Sequence, residues 1–117
     1  MIFVIDSDVE MAECVAFVCE ESGHKVKIFH NAIEAMQALS SDLPELIFLD
    51  IMLTGPDGFS FLNEMISYTD TARVPVVVVS GVDFKGVNLD IYGVVGVLNK
   101  DTMKPEDVKK YVAEFAR

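Results

Sequence analysis

Positive charge is scarce in this chain. Nine Lys and Arg residues stand against 19 Asp and Glu, a formal net charge of −10 over 117 residues. Binding a phosphate backbone takes a stripe of basic side chains. Here only Lys109 and Lys110 adjoin, so nucleic acid is not an expected partner. The same deficit disfavours anionic membranes. Long apolar runs are missing too. The longest spans residues 91–98, far short of the ~20 residues of a membrane span. The chain opens on an apolar run and then an acid, with no basic leader, so no signal peptide is expected and the cytoplasm is the expected location. Cysteine is nearly absent. Cys14 and Cys19 fall in one candidate helix, about 140° apart around the axis and about 7.5 Å along it. That disfavours a disulfide and reads as two reduced thiols packed as small apolar side chains. Glycine is absent from the first turn, Ile5-Asp6-Ser7-Asp8-Val9. A dinucleotide pyrophosphate needs a Gly-rich turn there and would be repelled by the acids; no P-loop is present either.

What is present is apolar residue, 51% of the chain. That is too much for intrinsic disorder and fits a single domain over residues 1–117. A chain of this length buries roughly two thirds of its unfolded surface without help from disulfides or a structural metal. The excess of acid serves solubility, or a cation site or a partner with a basic face.

Short apolar runs alternate with stretches of helical period. The runs are residues 1–5, 26–29, 46–49, 76–79 and 94–98. Continuous runs of this kind predict strands buried on both faces, as in a parallel sheet. Between them the spacing predicts helices over 8–22, carrying Met11, Val15 and Val18 and closed by Gly23. It predicts others over 32–40, with Asn31 as N-cap and Glu34 at the capping-box position, and over 59–67, carrying Phe59, Leu62 and Ile66. The last covers 105–116, opened by Pro105 and carrying Val108, Val112 and Phe115. A weaker fourth segment lies around 84–92. The pattern is (βα)5. It predicts an α/β fold, a three-layer flavodoxin-like sandwich around a five-stranded parallel sheet of order 2-1-3-4-5.

Sites in such sheets form beyond the carboxyl ends of the strands. The residues found there are Asp6, with Asp8 close behind, then Asp50, Ser80, and Asn99-Lys100; the second run ends at His30 on an expected edge strand. Two carboxylates held close together raise each other's pKa. A hard cation relieves that conflict, and oxygen ligands suit Mg²⁺. Mg²⁺ beside a carboxylate nucleophile, a hydroxyl and a lysine describes a phosphoryl-transfer site. The stretch Gly55-Pro56-Asp57-Gly58 reads as a turn.

These residues resemble the receiver domain of two-component response regulators, and the resemblance covers the whole chain. Its strongest motif runs from Leu49-Asp50 through Ile51-Met52-Leu53-Thr54 to Asp57-Gly58, an aspartate at the end of strand three with Asp-Gly seven and eight residues on. Asp6, Val79-Ser80-Gly81 and Lys100 add to it. The resemblance implies that Asp50 is the phosphoacceptor, taking a phosphoryl group from a sensor histidine kinase or phosphotransfer protein. It implies that Asp6, Asp50 and the Met52 backbone carbonyl hold Mg²⁺, that Ser80 bonds the phosphoryl group, and that Lys100 pairs with Asp50. Such a domain catalyses its own phosphorylation and dephosphorylation and signals through protein–protein contact as a monomer or a phosphorylation-dependent dimer. The expected output surface is the face of the fourth helix, fifth strand and last helix, where Ile91, Tyr92, Val94 and Val95 lie. The expected kinase contact is the first helix, with Met11, Cys14 and Phe17.

The sequence departs from the family at several positions. Ser7 stands where a second acid usually supplies the direct metal ligand, with Asp8 as its partial substitute, so weakened Mg²⁺ binding is expected. Leu53-Thr54 replaces Met-Pro. Asp101 replaces the proline after the lysine, so a trans bond is expected there. Val97 takes the place of the aromatic switch residue, and the short spacing from Ser80 to Lys100 implies a stunted fourth helix. Met52 and Val82, both apolar, occupy positions that tune the lifetime of the acyl phosphate, which is expected to be long. Two other readings remain open at this point. One is a pseudo-receiver that binds partners without a phosphoryl cycle. The other is a phosphohydrolase of the haloacid-dehalogenase type, built on Asp6-Ser7-Asp8.

Overall fold

The computed structural model describes residues 1–53, 55, 57–81 and 88–116. Five strands, β1 (Ile2–Ile5), β2 (Val26–Phe29), β3 (Leu46–Leu49), β4 (Val76–Ser80) and β5 (Val94–Asn99), form one parallel sheet of order β2-β1-β3-β4-β5. The helices among the described residues are α1 (Val9–Glu21), α2 (Ala32–Leu39), α3 (Gly58–Ile66) and α4 (Pro105–Phe115). The expected order and three-layer arrangement are therefore found. Where a helix was expected over 84–92, the described part is a 3-10 turn, Asp90–Tyr92; residues 82–87, with Val82 among them, lie outside the described residues.

Local sequence sets the helix ends. The Asp8, Asn31 and Asp57 carboxylate or amide oxygens accept from the backbone amides of Met11, Glu34 and Ser60, which satisfies one orphan donor at the start of each of α1, α2 and α3. After α1 the chain reverses at Gly23, whose φ of +91° is costly for any side chain.

The core has two halves, one on each face of the sheet. Phe3, Ile5, Ile47, Leu49, Val76 and Val78 meet α2 and α3. Ile2, Val4, Phe48, Val77, Val79 and Leu98 meet α1 and α4. Strands β1, β3 and β4 are buried throughout, as continuous apolar runs require. The expectation fails at β2 and β5. No residue of β2 is fully buried, and in β5 only Val94 and Leu98 are. Both are edge strands, so one neighbour and part of each covering layer are missing. The core face of α3 also differs from the expected stripe. Phe61, Leu62 and Met65 are buried, whereas Phe59 is half-buried and Ile66 exposed.

The two thiols part company. Cys14 is exposed on α1, against expectation, while Cys19 is fully buried. Burial, and then the Glu20 charge, push the Cys19 thiol from 9.0 up to about 12. Iodoacetamide at pH 8 is therefore expected to modify the folded protein once, at Cys14, and twice after denaturation; mass spectrometry counts the adducts. Because the folded value is the higher one, Cys19 contributes its full stability below pH 9.0 and loses it as the pH rises towards about 12.

Candidate functional site

The sheet delivers the site residues directly. Asp6, Asp50 and Lys100 each follow the last residue of a strand, and each still donates a ladder hydrogen bond. The Asp6 amide donates to Phe29 O at 3.0 Å, Asp50 to Ile5 O at 2.9 Å and Lys100 to Ser80 O at 3.0 Å. Ser80 is the last residue of β4 and is fully buried. Four positions from four strands thus share the carboxyl edge, as the sequence predicts.

Lys100 ties the carboxylates together. Its Nζ lies 3.0 Å from Asp6 Oδ2 and 3.3 Å from Asp50 Oδ2. Asp6 Oδ1 accepts from the Asp8 amide at 2.9 Å, and Asp50 Oδ1 from the Met52 amide at 3.0 Å. Both carboxylates are almost wholly buried, whereas the lysine keeps 18% of its side chain exposed. Burial holds the Asp6 carboxyl above its ordinary value; the Asp8 amide and Lys100 pull it down, and the Asp50 charge pushes it further up. Burial lowers the Lys100 ammonium, but its hydrogen bond to Asp6 and the two carboxylate charges outweigh that and raise it.

The other expected residues lie as follows. Ser7 is half-buried between Asp6 and Asp8. Asp8 is exposed, and its Oδ1 caps α1 by accepting from the Met11 amide at 3.2 Å. Met52 is 64% exposed, so its side chain does not pack. Val97 is 44% exposed on β5, beside exposed Val95, and the bond from Lys100 to Asp101 is trans. The groove of about 640 Å³ between α1 and the start of α4 reaches Lys100 and is lined by Met11, Cys14, Phe17, Met103 and Lys104.

Among the described residues no cluster of three or more His, Cys, Asp or Glu side chains offers a metal site. The donor chemistry still fits Mg²⁺. This ion keeps several waters and takes only one or two protein carboxylates. Asp6 and Asp50 are two buried carboxylates, the first raised in part by the charge of the second. They form the pair a hard cation would settle.

Two features of the site escaped the sequence. Gly58 reads there as a turn residue, but it heads α3 pressed against the Ile51 backbone, and its amide donates to Ile51 O at 2.9 Å. His30 is visible only as the end of a run; its Nδ1 lies 2.8 Å from the Asp6 carbonyl oxygen. Parallel register is the signal that points to it, because position 30 stands opposite position 6.

An open parallel sheet with an acid–acid–hydroxyl–lysine edge defines a receiver-like α/β domain. The sequence profile of the response regulator receiver domain matches residues 2–113, and the chain belongs to that family. It is 27% identical to Protein Rrf1 of Nitratidesulfovibrio vulgaris over 85% of this chain and 70% of that protein. It is 28% identical to the response regulator MprA of Mycobacterium ulcerans over 70% of this chain, but the match spans only 34% of MprA. The receiver domain of NtrX from Brucella abortus superposes with a TM-score of 0.84 at 27% identity, covering 97% of this chain and 96% of that one. A CheY-like receiver from Methanospirillum hungatei gives 0.85 at 20% identity, covering 97% and 90%, and shows the shared fold. Among the described residues no helix is long and apolar enough to cross a membrane.

Proposed function

We propose that this receiver domain accepts a phosphoryl group on Asp50 from a sensor histidine kinase or phosphotransfer protein and passes the signal on by protein–protein contact. The observation that carries the reading is the single ammonium of Lys100 shared between Asp6 and Asp50 at the sheet edge. An Asp50 carboxylate oxygen attacks the phosphorus, an O–P bond forms, and the N–P bond of the donor phosphohistidine breaks. The electron pair of that bond returns to the ring nitrogen, and a donor ring already protonated at its other nitrogen leaves as neutral imidazole. Met52 N–H holds one oxygen of Asp50 and Lys100 the other, so the nucleophile is aimed before the donor arrives. Lys100 then follows the new charge onto a phosphoryl oxygen, and the Ser80 hydroxyl bonds another. Asp6, Asp50 and the Met52 carbonyl would hold Mg²⁺, which neutralises charge developing on the phosphoryl oxygens. Ser7 weakens that binding by supplying no carboxylate.

The groove along α1 is the surface for the phosphodonor. The output surface includes β5, where Val95 and Val97 are exposed. Exposed Met52 offers no polar group to position water, in keeping with a long-lived acyl phosphate. The cytoplasm is the compartment in which such a donor is met.

The pseudo-receiver reading draws on one observation: Ser7 brings no charge, and Asp8 is exposed and caps α1. Intact mass after incubation with acetyl phosphate separates the two. A Mg²⁺-dependent gain of one phosphoryl group, absent in Asp50→Asn, is the expected result. No adduct at millimolar Mg²⁺, either with acetyl phosphate or with a phosphorylated histidine kinase, would overturn the reading in favour of a phosphorylation-independent binding module.

A further inference from the structure

Asp6 is held at four points. Its amide donates to Phe29 O, its Oδ1 accepts from the Asp8 amide, Lys100 binds the carboxylate, and its carbonyl oxygen faces His30 Nδ1 at 2.8 Å. Two of these ties come from consecutive residues at the end of β2.

The β1–β2 register explains the fourth. Ile5 stands opposite Phe29, so Asp6 stands opposite His30. In a parallel ladder the amide of one residue bonds the carbonyl before its partner, and its own carbonyl takes the amide after the partner. The first half is kept, from Asp6 N to Phe29 O. The second half would fall to the Asn31 amide. Asn31 has already turned away to cap α2, its side chain accepting from Glu34 N. The imidazole supplies the donor in its place. A carbonyl only accepts, so the bond fixes the Nδ1–H tautomer of His30.

We propose that His30 is a positioning residue for Asp6. It replaces the lost ladder rung, holds the Asp6–Ser7 peptide plane, and so aims the Asp6 carboxylate that takes Mg²⁺. The inference rests on the phosphoacceptor reading for its role in metal binding, but not for its geometry. Outer partners that orient metal-holding groups are commonly worth on the order of tenfold in affinity.

The test compares the parent with His30→Ala and His30→Asn. The Asn amide nitrogen stands close to where Nδ1 does, so it keeps the donor while removing the ring. Hydrogen exchange at the Asp6 and Asp8 amides, read by NMR without metal, reports the geometry. Exchange faster in His30→Ala and parent-like in His30→Asn is expected. Mg²⁺ titration followed by the same amide shifts reports the consequence, and the expected result is about a tenfold weaker midpoint in His30→Ala, restored by His30→Asn. At saturating Mg²⁺ the acetyl phosphate rate of His30→Ala should return to the parent's. Parent-like exchange and Mg²⁺ midpoint in His30→Ala would overturn the proposal, as would an Asn variant no better than Ala. A parent that shows neither Mg²⁺ shifts nor phosphorylation would overturn the phosphoacceptor reading and, with it, the metal role of His30; the exchange data would still decide the geometry.

Discussion

Gly58→Ala is expected to cost about 3 kcal/mol of stability and to slow or abolish phosphorylation of Asp50, although residue 58 touches no reactant. A Cβ at this position would stand 2.6 Å from Ile51 Cα, 2.9 Å from Ile51 Cδ1 and 3.0 Å from Asp50 O. Two of those neighbours are backbone and cannot rotate aside. Relief has to come from lifting the first turn of α3, which breaks the bond from Gly58 N to Ile51 O, or from pushing the loop after Asp50. The second route moves Met52, whose amide holds Asp50 Oδ1. Overpacking against fixed atoms costs roughly 1–3 kcal/mol, and the lost hydrogen bond adds about 1 kcal/mol. The midpoint of thermal unfolding should fall by on the order of 10 °C. Gly81→Ala serves as the control, because a Cβ there meets nothing within 4 Å. Parallel losses in the two variants would show that the effect is generic to removing a glycine near the site.

Lys100→Met is expected to destabilise the protein by about 2–3 kcal/mol at pH 7–8, with a loss that shrinks as the pH falls towards 4. The substitution keeps an apolar stem and deletes the one charge among the described residues that faces both carboxylates. Removing one partner of a buried pair can cost ~3–5 kcal/mol. Here the figure is discounted, because the ammonium is partly exposed and because Asp6, already raised by burial, can take up a proton. The sign follows from the same shift. A carboxyl whose folded pKa is raised contributes its full stability below the ordinary value of 3.8 and loses it as the pH rises through the folded value. Without Lys100 the folded value climbs further, so the variant should fall behind the parent from about pH 4 upward. In the parent the raised Lys100 adds a second limb at the alkaline end, intact below 10.5 and lost above it. Urea unfolding of both proteins in metal-free buffer at pH 4, 6 and 8 checks this, and a pH-independent difference would refute it.

Much of the fold was legible because burial writes directly into sequence. Val76 to Val79 and Leu46 to Leu49 read as buried strands and are interior ones, and Asn31 and Pro105 announce helices. The edge strands were not legible in the same way. Val94 to Leu98 has the composition of a buried run, but only the position of β5 in the sheet shows that Val95 and Val97 face outward. Asp6, Asp50, Ser80 and Lys100 could be placed on one edge because strand ends are. Parallel register brings His30 opposite Asp6, but the link between them also depends on Asn31 turning away to cap α2. Gly58 showed its turn-forming composition and hid its steric reason, which exists only once α3 has docked.

The ladder bonds made by Asp6, Asp50 and Lys100 have a mechanical consequence. These bonds run from β1 to β2, from β3 to β1 and from β5 to β4, so Asp50 is anchored between interior strands while Asp6 and Lys100 are each tied across to or from an edge strand. To move the Asp50 backbone, the interior pair β1 and β3 must unzip, at a cost approaching that of unfolding the whole domain. A change of charge on Asp50 therefore cannot be absorbed where it is made. It is passed outward, to the side chains and loops that the sheet does not hold.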